Sequence, residues 1–171
     1  MKKYILTVLM SLAMLSSISC AGSKKETPKS AAGSVVWMAW DQAMTSAQEE
    51  GKFIVVDVYT DWCHWCKVMD EKTYVDPEVA GLMKESFVAV KLNAERANPV
   101  NFKGKAYTEM DLARSFGVNG YPTTMFLDSD GTVIGKIPGY IEAPMFKKIL
   151  EYLTSGSYKS MSLDQYMSGN K

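Results

Sequence analysis

Cys63 and Cys66 stand two residues apart in the stretch Tyr59-Thr60-Asp61-Trp62-Cys63-His64-Trp65-Cys66-Lys67, where an apolar run gives way to a helix-like pattern. That spacing brings two sulfurs within bonding distance and sets the first at a helix start. The unsatisfied N–H groups of a first helical turn, and the positive end of the helix dipole, stabilise an anion there. A cysteine with an ordinary pKa of about 8.5 is thereby shifted toward the neutral or acidic range, so Cys63 reads as a thiolate nucleophile. Cys66, one turn deeper, reads as the thiol that attacks the mixed disulfide and releases the product. The chemistry is thiol–disulfide exchange, with the Cys63–Cys66 disulfide itself in place of a cofactor.

The same spacing also makes half of a zinc site, but the ligand count argues against metal. The chain holds three cysteines and one histidine, and a structural zinc takes four ligands, usually from well-separated pairs. Covalent haem attachment needs a histidine directly after the second cysteine, and Lys67 stands there. His64 follows the nucleophile directly. Protonated, or donating a hydrogen bond, it favours the Cys63 thiolate; the plainer reading is a surface position. Trp62 and Trp65 form an apolar collar suited to gripping partners and shielding the sulfurs.

At 171 residues and 47% hydrophobic content, the chain fits one domain with a substantial core plus short appendages. Nineteen basic and nineteen acidic residues balance, so no electrostatic case exists for nucleic acid. Residues 1–19 read as an export signal: Lys2 and Lys3, an apolar run from Ile5 to Leu15, then a small-residue cleavage zone. Cys20 is placed as in a bacterial lipoprotein signal, where it becomes the lipidated first residue; Ser17 and Ser19 also suit ordinary cleavage. Either way the mature chain is expected outside the cytoplasm, in a periplasmic setting where disulfides persist. Residues 20–33 read as a flexible tether, 34–155 as the folded domain, and 156–171 as a polar tail with no assigned role.

Positioning elements follow from pattern. Val35 and Val36 suggest a short edge strand, and Asp41 can cap a helix carrying Ala43, Met44 and Ala47 that stops at Gly51. Phe53 to Tyr59 reads as a buried central strand. Asp57 interrupts it, and a carboxylate inside a core strand is costly unless paired or protonated. Functionally, Asp57 passes protons to or from Cys66; otherwise it faces solvent. Asp76-Pro77 starts a helix, and Phe87 to Leu92 the next strand. Lys91 in that strand can pair with Asp57 across neighbouring strands, or extend to solvent. Asn93 to Tyr107 reads as a loop, and Thr108 with Asp111 as a capping box. Thr123 to Leu127 and Thr132 to Ile137 form a hairpin around Asp128 to Gly131, and Phe146, Ile149, Leu150 and Leu153 make the stripe of a final helix. The order describes an α/β three-layer sandwich with helices on both sides of a mixed sheet.

On the residues Asp57, Trp62-Cys63-His64-Trp65-Cys66, Lys91-Leu92-Asn93, Gly120-Tyr121-Pro122-Thr123 and Gly139, the chain from about Val35 to Leu153 resembles the thioredoxin superfamily. The resemblance implies the thioredoxin fold, a buried Asp57–Lys91 pair governing protons at Cys66, and a cis Pro122 packed against the sulfurs. The backbone beside Pro122, with Tyr121 and Thr123, is then available to bind an extended substrate segment as an added strand. Asp61-Trp62-Cys63 with Cys66-Lys67, followed by Thr73-Tyr74-Val75-Asp76-Pro77-Glu78-Val79, resembles the C-terminal periplasmic domain of DsbD and related exported single-domain proteins. Expected partners are protein thiols and disulfides and an upstream electron donor such as a DsbD-like membrane protein. A monomer, touching a membrane only through a lipid anchor, is expected. A reductase or electron relay is favoured over a strong oxidant. The alternatives are a non-catalytic binding module or chaperone, and a structural protein whose disulfide is inert.

Overall fold

Four β-branched residues, Ile54, Val55, Val56 and Val58, are fully buried in the run that precedes the cysteines. Such a segment is stable only with a layer against each face. The computed structural model describes residues 33–169. In chain order the elements are β1 (Trp37–Met38), α1 (Trp40–Glu50), β2 (Phe53–Tyr59), α2 (His64–Lys72), α3 (Pro77–Ser86), β3 (Phe87–Asn93), β4 (Pro99–Phe102) and β5 (Lys105–Thr108). They continue as α4 (Glu109–Ser115), β6 (Thr123–Leu127), β7 (Val133–Pro138), α5 (Ala143–Thr154), a 3-10 turn (Ser157–Lys159) and α6 (Leu163–Met167). The export signal, Cys20 and the tether up to residue 32 lie outside the described residues.

The main sheet has five strands in the order β1-β3-β2-β6-β7. β1, β3 and β2 run parallel, while β6 and β7 run antiparallel to their neighbours. Alternation along β2 sends Ile54, Val56 and Val58 to one face, where Trp40, Ala43 and Ala47 of α1 and Leu112 of α4 cover them. Val55 faces the other way, under Met69 of α2, Val79 and Met83 of α3 and Phe146 of α5. Asp57 is in step with Val55, so its carboxylate enters the second layer. This is the expected three-layer arrangement.

Several boundaries differ from expectation for local reasons. β1 begins two residues later than Val35, whose side chain is buried instead. Asp41 does not cap α1, whose N-cap is Ala39. Its carboxylate accepts from the Asn101 backbone N–H at 2.8 Å and from Asn101 Nδ2 at 3.2 Å, while the Trp40 indole donates to Asn101 O at 3.0 Å. Those bonds anchor β4 and β5, an antiparallel hairpin where a loop was expected. Its turn places Lys103 at φ 49° and Gly104 at φ 77°, two successive left-handed residues as a tight hairpin requires.

The segment after Ser155 is folded rather than a free tail. Tyr158 packs edge-on against Phe53 with centroids 5.9 Å apart, and the Tyr152 hydroxyl donates to Met161 O at 2.7 Å. Ser162 and Gln165 close a capping box at the start of α6. Asp76 behaves as expected, its Oδ1 accepting from the N–H groups of Glu78 at 3.0 Å and Val79 at 3.1 Å.

Candidate active site

β2 ends at Tyr59, the chain turns through Thr60 to Trp62, and Cys63 is the N-cap of α2. Cys63 and Cys66 form a disulfide. The Cys66 backbone N–H donates to Cys63 Sγ at 3.1 Å, so a first-turn donor of α2 already points at the sulfur that would carry charge on reduction. Cys63 is 3% exposed and Cys66 2% exposed, so a partner must dock closely to reach either.

Asp57 lies opposite Lys91 in the parallel register of β2 and β3. Lys91 Nζ is 2.9 Å from Asp57 Oδ2 and also bonds Asp70 Oδ1. Asp70 is four residues after Cys66 on α2, on the same helical face, so one helix carries both the resolving sulfur and the second partner of Lys91. The rings of Trp37, Tyr59 and Tyr74 surround the ammonium at 4.9, 5.0 and 5.7 Å from their centroids. Burial, the largest influence, holds the Asp57 carboxyl above its ordinary pKa despite the lowering by Lys91. For Lys91 burial works against the charge, yet the two carboxylates outweigh it and the pKa is raised. With Lys91 already an ammonium, Asp57, wholly buried, is the member of the pair left to accept a proton.

Above the disulfide, Trp62 is 67% and Trp65 55% exposed. Neither is loose. The Trp62 indole N–H donates to Glu95 Oε1 at 2.9 Å and its ring meets Tyr121 edge-on at 6.0 Å. Trp65 lies over Tyr140 at 5.4 Å, and the His64 imidazole leans on Trp65 at 5.6 Å. Among the described residues His64 makes no hydrogen bond to either sulfur. Asp61 accepts from Asn93 Nδ2 at 3.0 Å and pairs with Arg96 at 3.3 Å, which ties the exit of β3 to the residues before the nucleophile.

The Tyr121–Pro122 peptide is cis. Thr123 opens β6 opposite Val58, and its hydroxyl donates to Gly120 O at 2.7 Å. The Pro122 carbonyl accepts from the Gly139 N–H at 2.8 Å. A profile for a thioredoxin-like domain matches residues 40–154. The chain belongs to the thioredoxin-like family. Over 119 residues it is 29% identical to the thiol:disulfide interchange protein DsbD of Photorhabdus laumondii, covering 68% of this chain and 19% of that protein. Over 94 residues it is 35% identical to human spermatogenesis-associated protein 20, covering 54% of this chain and 12% of that one. The chain thus spans less than a fifth of either relative. The reduced C-terminal domain of Neisseria meningitidis DsbD superposes with a TM-score of 0.51 at 27% identity, over 67% of this chain and 97% of that one. This thioredoxin-like chain therefore has the thioredoxin fold and homology to DsbD, with its disulfide at the expected spacing.

Sequence reasoning placed Cys63, Cys66, Asp57, Lys91, Trp62, His64, Trp65, Tyr121, Pro122 and Thr123 in this region. It missed the site contacts of Asp70, Tyr74, Glu95 and Tyr140. Asp70 could have been found from its four-residue offset to Cys66; the others join through tertiary contacts that no local pattern marks.

Proposed function

We propose that this thioredoxin-like protein is an exported thiol–disulfide oxidoreductase, with Cys63 the nucleophile and Cys66 the resolving thiol. The observation that carries the reading is the Cys63–Cys66 disulfide at the start of α2, with the Cys66 N–H directed at Cys63 Sγ. In the reducing direction the Cys63 thiolate attacks a partner disulfide. Cys66 gives its proton to Asp57 and displaces the partner from Cys63. Trp62, Trp65 and Tyr121 hold the partner segment, His64 favours the thiolate, and the Tyr121 backbone beside Pro122 and Thr123 pairs with the extended chain.

A reductase or relay role is favoured over a strong oxidant because the Asp57–Lys91 pair supplies a base to the resolving thiol. The partners are protein thiols and disulfides and a donor such as a DsbD-like membrane protein, a reading supported by the DsbD homology. Export through residues 1–19, lipidation at Cys20 and a monomeric state complete the proposal. Among the described residues no helix is long and apolar enough to cross a membrane.

The test is equilibration with glutathione, followed by trapping in cells with Cys66→Ala. A two-electron couple at Cys63–Cys66 and a mixed disulfide on Cys63 are expected. A potential near about −120 mV would reverse the direction, and an absence of exchange would remove the enzymatic reading.

A further inference from the structure

The corner behind the disulfide holds more polar groups than the exchange reaction has so far used. Tyr74, in the turn between α2 and α3, is 2% exposed, and Thr124 on β6 is fully buried. Thr124 stands directly across from Asp57 in the β2–β6 register. Lys91 Nζ, 2.9 Å from Asp57 Oδ2, lies 5.7 Å from the centre of the Tyr74 ring, so Tyr74, Asp57 and Thr124 share one buried corner. Apart from the Lys91 ammonium, however, the Asp57 oxygens, the Tyr74 hydroxyl and the Thr124 hydroxyl complete no hydrogen bond among the described residues. The Tyr74 ring is fixed by Trp37 at 4.8 Å and Phe146 at 5.5 Å, both edge-on, so the hydroxyl cannot swing to water. Buried polar groups are ordinarily paired, and here one carboxylate and two hydroxyls lie together incompletely paired.

We infer that Tyr74 is a positioning residue for proton transfer, its hydroxyl donating to Asp57 when that carboxylate is the base for Cys66, with Thr124 supporting Tyr74 from behind. This rests on the proposed role of Asp57. In the step concerned, Cys66 Sγ–H gives its proton to Asp57. The sulfur electron pair forms the Cys66–Cys63 bond as the bond from Cys63 to the partner sulfur breaks. The partner sulfur leaves as a thiolate and takes a proton from solvent. The two enzyme thiols are oxidised by two electrons and the partner disulfide is reduced by two. A hydrogen bond to the charged form of Asp57 stabilises that form, so Tyr74 keeps the base available at lower pH. Burial and the Asp57 charge keep the phenol protonated far into alkali, so its proton stays available to Asp57 while its oxygen can accept from Thr124. The charged and titratable groups facing this corner are Asp57 and Tyr59 on β2, Lys91 on β3, Cys66 and Asp70 on α2, and Tyr74 itself. β1, β6 and α5 contribute Trp37, Thr124 and Phe146, which do not titrate.

The test uses the reduced protein and a chromogenic aromatic disulfide. The first burst of released thiol reports attack by Cys63, and the second reports its displacement by Cys66. The midpoint of the second phase is followed against pH in wild type, Tyr74→Phe, Thr124→Val and Asp57→Asn. Tyr74→Phe keeps the ring and is expected to raise the midpoint by about one unit, a tenfold slower second phase below it. Thr124→Val, which leaves Tyr74 in place, should move it the same way by less, and serves alone if the Tyr74 variant does not fold. An unmoved midpoint in these variants, with the transition abolished in Asp57→Asn, overturns the role of Tyr74 and leaves that of Asp57 standing. A transition that survives in Asp57→Asn overturns both.

Discussion

Lys91 Nζ lies 2.9 Å from Asp57 Oδ2, and the two residues are directly opposed in neighbouring parallel strands. The Asp57 side chain is fully buried and that of Lys91 is 19% exposed. A cation with a second carboxylate at hand thus faces an anion with no other cation among the described residues. Losing Lys91 should therefore hurt more than its exposure suggests.

Lys91→Met is expected to destabilise the protein by about 3 kcal/mol at neutral pH, as when one partner of a buried pair is removed. The loss should shrink in acid. A carboxyl whose folded pKa is raised above the unfolded 3.8 contributes stability below that value and loses it as pH rises through the folded pKa. Removing Lys91 raises that folded pKa further. Urea denaturation at about pH 5 and about pH 8 measures the difference; equal losses at both would show that Asp57 is not the titrating partner.

His64→Ala should raise the pH midpoint of Cys63 alkylation by about half a unit, the modest effect of one exposed imidazole near a thiolate. Because the imidazole rests on Trp65 in the oxidised state, this effect depends on its turning toward the sulfur after reduction. An unchanged midpoint would leave the helix start as the source of Cys63 acidity.

Glu95→Ala should raise KM for a protein disulfide several-fold, with a smaller change for a small-molecule disulfide. The carboxylate fixes the Trp62 indole at 2.9 Å, and an ordered aromatic contributes more to docking than one that must first be immobilised. Steady-state assays with both substrate types decide it. Equal effects on both would place Glu95 in the chemistry instead.

Truncation after Ser155 should lower stability by roughly 2 kcal/mol, about the burial of one large apolar side chain. Tyr158, Leu163 and Met167 pack against the layer built on Phe146. Thermal unfolding of the shortened chain provides the check, and an unshifted midpoint would show that those contacts contribute nothing.

The core strands and both cysteines were legible because their signals are local. β2 is a dense β-branched run, and α3 announces itself with Asp76-Pro77. Asp57 and Lys91 were conspicuous as charges inside apolar strands. The β4–β5 hairpin was not legible, since Pro99 and scattered lysines look like a loop, and its turn depends on Lys103 adopting a conformation its side chain does not favour. Asp41 has every property of a cap, yet the hairpin claims its carboxylate. The segment after Ser155 is too polar to read as structure, and its few aromatics find partners only once α5 and β2 are in place. Glu95 and Tyr140 enter the site in the same way, through contacts between distant segments.

The sheet is guarded against growth at both margins. β1 offers only Trp37 and Met38, too short to template another strand, and β7 carries Lys136 and finishes at Pro138, which has no N–H to give. Copies crowded together thus have little incentive to zip into fibrils. Tyr121, by contrast, lies away from both margins, its ring against that of Trp62 beside the disulfide.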